Sequence, residues 1–198
     1  MKASRYLSHV CIALVVMVAG VSNAATSKEP VVSPFEDNVQ VDGQTLLLNG
    51  SGPLSVNRVK IYTVGIYMPV RKSTAQEILA LPGIVRVKIA MLKSVESETM
   101  SRRFIADVHA NTSKDDRLII ANQILTLGMG FGAIGDWNVG DVMYIDWIPS
   151  KGTVISWNNK QVAEPLKNQL LMQSILKIWL GDNVYDTKLK RLLLGVKE

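Results

Sequence analysis

Between Val59 and Met68 the chain alternates Val59, Ile61, Thr63, Gly65 and Tyr67 with Lys60, Tyr62, Val64, Ile66 and Met68. Both sets are largely apolar, which predicts a central strand covered on each face, not one half bathed in water. Upstream, Asp42-Gly43 is a hairpin signal between Asn38–Val41 and Thr45–Asn49. The glycines of Asn49-Gly50-Ser51-Gly52 then predict a turn leading into the long strand. Downstream, Ser73 or Thr74 is placed to cap a short helix that stops before Pro82. Ile84–Leu92 alternates Ile84, Arg86, Lys88 and Ala90 with Val85, Val87, Ile89 and Met91, the mark of an amphipathic strand.

The period then changes from two to about four. Glu96–Asn111 places Met100, Phe104 and Val108 on one helical face and Arg103 with Asp107 on another. Lys114–Leu127 carries a broad apolar stripe through Leu118, Ile120, Ile124, Leu125 and Leu127. The run Gly128–Gly135 (GMGFGAIG) lacks the lysine–threonine end of a phosphate loop and predicts a flexible turn. Val142–Ile148, Thr153–Asn158 and Lys160–Val162, joined by short turns, predict an antiparallel meander. Pro165 is placed to open a helix that runs to Leu180, with Gly181 as its C-cap, and Asp186 caps a last helix, Thr187–Leu194. Strands that pair locally, with helices clustered between them, predict an α+β domain: an antiparallel sheet with a layer of helices packed on it.

The N-terminus departs from this pattern. Lys2 and Arg5 precede an uncharged run, Val10–Val21, followed by Ser22-Asn23-Ala24-Ala25. A basic start, a short apolar run and small residues describe a secretory signal peptide over residues 1–24. The run is shorter than the ~20 apolar residues a spanning helix needs. The expected organisation is therefore a signal peptide 1–24, a leader 25–37 and a domain 38–198, in a periplasmic or secreted protein without a transmembrane segment in its mature chain. Cleavage after Ala24 leaves 174 of 198 residues, enough for one well-cored domain.

Composition narrows the chemistry. The one cysteine, Cys11, and one of the two histidines, His9, fall within residues 1–24, so the mature chain has no disulfide and only His109. That leaves no thiolate metal site and only a lone imidazole for any triad, so neither a metal nor a cofactor is expected. Net charge drops from +5 to +3 when Lys2 and Arg5 leave. Arg102-Arg103 and Lys188, Lys190 and Arg191 read as solvated helix faces, which argues against nucleic acid as a partner.

The stretches LNGSG, VKIYTVGIYMP, GDVMYIDW with GTVISWNN, and IWLGDNVYD resemble the chalcone isomerase-like family over Val39–Gly195. The resemblance implies an open-faced sandwich with a ligand cleft between sheet and helices. In the family's enzymes, which cyclise a chalcone to a flavanone, an arginine steadies the phenolate, and a threonine and a tyrosine hold a water at the ketone. An asparagine and a late threonine bind the far ring. By the resemblance these positions hold Leu54, Tyr62, Phe104, Asn111 and Ile178 here, with Trp179 adjacent. Leucine and phenylalanine cannot donate to a developing oxyanion or an ordered water. Arg58, four residues beyond Leu54, or Lys60 is left as the source of positive charge.

The family also has a non-catalytic branch that binds fatty acids, and an apolar slot suits an acyl chain. The expectation is an exported, non-catalytic protein that binds a small apolar ligand such as a fatty acid. Its candidate ligand-binding residues are Leu54, Arg58, Tyr62, Val64, Phe104, Asn111, Ile178 and Trp179. Two alternatives stand beside it. One is an isomerase or lyase using Tyr62 with Arg58 or Lys60; the other is a closed-packed accessory protein in which Phe104 and Trp179 are core and Asn111 is a helix C-cap. A cavity between sheet and helices separates the last from the first. A guanidinium held inside that interior, opposite a phenol, would favour catalysis.

Overall fold

The structure, a computed structural model, describes residues 35–196. The signal peptide and most of the leader read from the sequence lie outside the described residues. Seven strands form one antiparallel sheet in simple chain order: β1 (Asn38–Val41), β2 (Gln44–Val56), β3 (Val59–Met68), β4 (Val85–Met91), β5 (Val142–Ile148), β6 (Gly152–Trp157) and β7 (Lys160–Gln161). Among the described residues six helices complete it: α1 (Ala75–Leu79), α2 (Ser97–Asn111), α3 (Lys114–Ile119), α4 (Ala121–Ile134), α5 (Gln169–Leu180) and α6 (Thr187–Leu193). Among the described residues no helix is long and apolar enough to cross a membrane.

The covered central strand expected from the alternation is β3, whose residues Tyr62–Met68 are buried on both faces. Tyr62, Val64, Ile66 and Met68 meet the helices in the main core, with Val87 and Ile89 from β4, Met143 and Ile145 from β5, and Leu171 and Ile175 from α5. On the opposite face Tyr67 joins Phe35, Val41, Leu46, Ile84 and Ile148 in a smaller cluster. Beside it Arg86 and Asp146, cross-strand partners on β4 and β5, form a two-pronged ion pair: Nε donates to Oδ1 at 2.7 Å and Nη2 to Oδ2 at 2.6 Å.

The Gly50–Gly52 turn is a misreading that the structure corrects. β2 runs straight through it, and the chain reverses later, at Asn57-Arg58, where both residues have positive φ (50° and 66°). Glycine is needed at Gly50 because α6 lies against it: an added Cβ would overlap the Leu192 carbonyl oxygen and sit 2.7 Å from that of Leu193. Opposite β3, the pairing skips from Leu48 to Gly50, so Asn49 is the extra residue of a bulge. Bulges re-aim side chains. The Asn49 amide donates to the carbonyls of Leu193 (2.7 Å) and Lys72 (2.9 Å) and accepts from the Lys72 N–H, tying β2 to α6 and to the approach to α1.

Two helical boundaries also differ. The helix expected over Lys114–Leu127 breaks at Ile120, which is fully buried with φ −102° and ψ 9°, and the glycine-rich run that predicts a flexible turn is the second half of α4. Each glycine weakens a helix by roughly 0.5–1 kcal/mol relative to alanine, but burial of Ile124, Leu127 and Phe131 along α4 outweighs it. The helix expected from Pro165 starts later, capped by Asn168, because Leu166 is held in a bridge to Thr153.

Candidate functional site

Helix α2 crosses the sheet so that Thr99, Met100, Arg103, Phe104 and Asp107, spaced along one side, look into a cavity of about 320 Å³. Its floor is the sheet, through Tyr62 of β3, Ile89 of β4, and Met143 and Ile145 of β5. Phe131 of α4 and Trp137 form one wall, Ile178 and Trp179 of α5 another, and Leu54 of β2 a third. A second irregularity helps build it. The β2–β3 pairing skips from Leu54↔Tyr62 to Ser55↔Lys60, and the bulge at Ile61 leaves Ile61 and Tyr62 both lining the space. The aromatic wall is a chain of rings: Phe104 meets Phe131 edge-on at 5.0 Å, Phe131 meets Trp137 edge-on at 5.6 Å, and Trp137 leans on Trp157 at 4.6 Å. Such contacts hold the wall rigid rather than letting it collapse into the void.

Of the residues singled out from the sequence, the structure brings together Leu54, Tyr62, Phe104, Ile178 and Trp179 around this one space. It does not bring the other three. Arg58 sits exposed on the tight turn between β2 and β3, where its backbone geometry serves the reversal, and Lys60 beside it is exposed too; neither lines the cavity. Val64 is fully buried in the main core and does not reach the space. Asn111, the last residue of α2, is a tether: its amide donates to the carbonyls of Asp107 (3.0 Å) and Asn183 (3.3 Å), and its Oδ1 accepts from the Asn183 N–H at 2.9 Å. It pins the end of α2 to the loop after α5, outside the cavity lining.

Inside, one side-chain hydrogen bond stands out. Trp179 Nε1 donates to the Tyr62 hydroxyl at 3.0 Å, and both residues are buried. Burial pushes the phenol pKa well above its ordinary value, with the Trp179 hydrogen bond opposing only in part. Tyr62 is thus a neutral phenol at physiological pH. Replacing Tyr62 with phenylalanine is expected to strand the indole N–H and to lower stability by about 1–3 kcal/mol. In urea denaturation the Tyr62→Phe, Trp179→Phe double variant should then lose less than the sum of the single losses.

At the mouth the structure adds Arg103, which the sequence places on a solvated helix face, together with Asp107 and Tyr185, which it does not assign to the site. Arg103 Nε donates to Asp107 Oδ2 at 2.8 Å, and the guanidinium carbon lies 4.7 Å from the centre of the Tyr185 ring. All three residues line the opening. The signal was there in part: Thr99, Arg103 and Asp107 form a stripe directly beside Met100 and Phe104, and a wide helical face includes both. Arg103 is no buried charge aimed at the phenol from within; its side chain is 49% exposed at the rim. Among the described residues no group of three or more histidine, cysteine, aspartate or glutamate side chains gathers to hold a metal.

The sequence profile of chalcone isomerase-like proteins matches residues 29–195. The chain belongs to the chalcone isomerase-like family. Its sheet with one layer of helices is that family's fold. Among solved structures, the crystal structure of a fatty-acid binding protein of Arabidopsis thaliana superposes with a TM-score of 0.61. That alignment covers 83% of this chain and 95% of the plant chain at 14% identity, a likeness of fold. No curated protein matches the sequence. Within the chalcone isomerase-like frame, the cavity wall is built here from Leu54, Phe104 and Ile178, side chains with no hydrogen bond to offer.

Proposed function

We propose that this chain is an exported, non-catalytic carrier that holds a single apolar ligand, such as a fatty acid, in the cavity under α2. The observation that carries the reading is the cavity itself: about 320 Å³, at the lower end of small-ligand sites, with walls of leucine, isoleucine, methionine and aromatic rings. Burying each methylene of a guest there is worth about 0.8 kcal/mol, so an acyl chain gains affinity without any catalytic group. The plant neighbour of the same fold is a fatty-acid binding protein, which supports the same class of ligand.

The isomerase reading has less support. Its charge was to come from Arg58 or Lys60, and both stand outside the cavity. A phenol whose pKa is raised by burial is a weak proton donor, and the one carboxylate in the lining, Asp107, is engaged by Arg103 at the rim. The closed-packed accessory reading requires a filled interior, which a 320 Å³ space does not supply.

The direct test is to extract protein purified from an expression host under denaturing conditions, look for an acyl chain by mass spectrometry, and then titrate the stripped protein with a fluorescent fatty acid. Absence of both a co-purified chain and micromolar binding would sink the carrier reading. Filling the cavity from its rim gives a second handle. Met100→Trp is expected to weaken binding at least tenfold while changing stability by no more than about 1 kcal/mol, because the added rings enter existing space. Parallel ligand titration and thermal melts check it. Export is tested separately, by fractionating cells and sequencing the N-terminus of the mature protein, which should begin at Ala25.

A further inference from the structure

We propose that the cavity takes a medium-chain carboxylic acid head-outward, its carboxylate received by the open Nη edge of Arg103 and its chain laid inward toward Met143 and Ile145. This rests on the carrier reading above and adds to it the receptor of the head group and the length of the tail.

The rim and the floor differ in kind. Thr99, Arg103 and Tyr185 are exposed at the opening, while Ile89, Phe131, Trp137, Met143 and Ile145 at the far end are buried. A molecule that matches this gradient is polar at one end only. Among the described residues lining the space, Arg103 is the sole cation. Its guanidinium is fixed on two of its sides: Asp107 takes Nε, and Tyr185 covers a face. The Nη edge carries no hydrogen bond to any described residue. A planar fork held in place with two donors free matches the two oxygens of a carboxylate. Because Asp107 has already fixed the side chain, little rotamer freedom remains to be lost when the ligand arrives.

The opposite orientation is disfavoured. It would bring the carboxylate to Tyr62, 7% exposed within an apolar lining, where one neutral phenol O–H is all that meets a buried charge. At the mouth the same charge keeps water on one side and a guanidinium on the other. Length follows from volume. Taking a methylene as about the size of a liquid water molecule, roughly 30 Å³, the 320 Å³ matches one chain of about ten carbons.

The experiment is calorimetric titration of the stripped full-length mature protein with decanoic acid and with decanol, for the unaltered chain, Arg103→Gln and Asp107→Asn. Arg103→Gln is expected to weaken decanoic acid about tenfold and leave decanol within twofold, and Asp107→Asn, which keeps an acceptor for Nε while removing a like charge from the rim, to tighten the acid severalfold. A series of acids from six to sixteen carbons should gain about fourfold per methylene and level off near ten. If decanol and decanoic acid bind alike and both ignore the two substitutions, Arg103 is not the receptor and this inference falls while the carrier reading stands. An acid affinity that keeps climbing to sixteen carbons overturns the assigned length. Binding of neither probe removes the carrier reading and this inference with it.

Discussion

Replacing Gly50 with alanine is expected to cost about 3 kcal/mol or more and to loosen α6 from the sheet, because a single methyl meets backbone that cannot step aside. The obstacle is the pair of carbonyls at Leu192 and Leu193, not a flexible side-chain tip, so relief requires the helix to move. Movement would in turn break the Asn49–Leu193 hydrogen bond of 2.7 Å and leave a buried amide short of one partner. Urea denaturation measures the cost, and hydrogen exchange of the α6 amides locates it. A loss below about 1 kcal/mol with α6 still protected would show that this approach is not rigid.

The other large effect belongs to the far face of the sheet. Arg86→Leu is expected to destabilise the fold by about 3–5 kcal/mol, because it leaves the Asp146 carboxylate with 9% side-chain exposure and no counter-charge. Replacing both partners with leucine should recover most of that loss, since two apolar groups need no desolvation repaid. The recovery separates the cost of an orphaned charge from the worth of the pair. If the double variant is as unstable as the single one, the pair contributes through the Tyr144 ring stacked 4.6 Å from the guanidinium, or through strand register.

These two sites also show what the chain's pattern could and could not disclose. β3, β4, β5 and α2 were legible because each carries its own period, two or about four, over seven or more residues. Five of the cavity-lining residues were legible through the family resemblance. What stayed hidden depended on contacts far apart in sequence. Gly50 and Gly52 read as a turn, yet they are a stretch of strand made bare for a helix that begins at Thr187. The glycines of α4 read as a flexible turn because their helical cost is local, while the compensating burial of Phe131 and Leu127 is not. Arg58 was the arginine nearest in sequence to the vacated family position. Arg103, on another element, is the one the fold carries to the opening.

One feature of the sheet bears on how the molecule is made. Because neighbouring strands are also consecutive in the chain, β1–β2–β3 and β5–β6–β7 are joined by short turns and can pair as polypeptide is delivered, whereas β4 and β5 must wait for α2, α3 and α4 between them. Among the side-chain hydrogen bonds of the described residues, the seam between Asn49 and Leu193 joins those furthest apart in the chain, 144 positions. It stays open until the last segment arrives, so a chain stalled or trimmed before Thr187 would show an uncovered strip of β2 to quality-control proteases. The closing residues are therefore the last to cover β2.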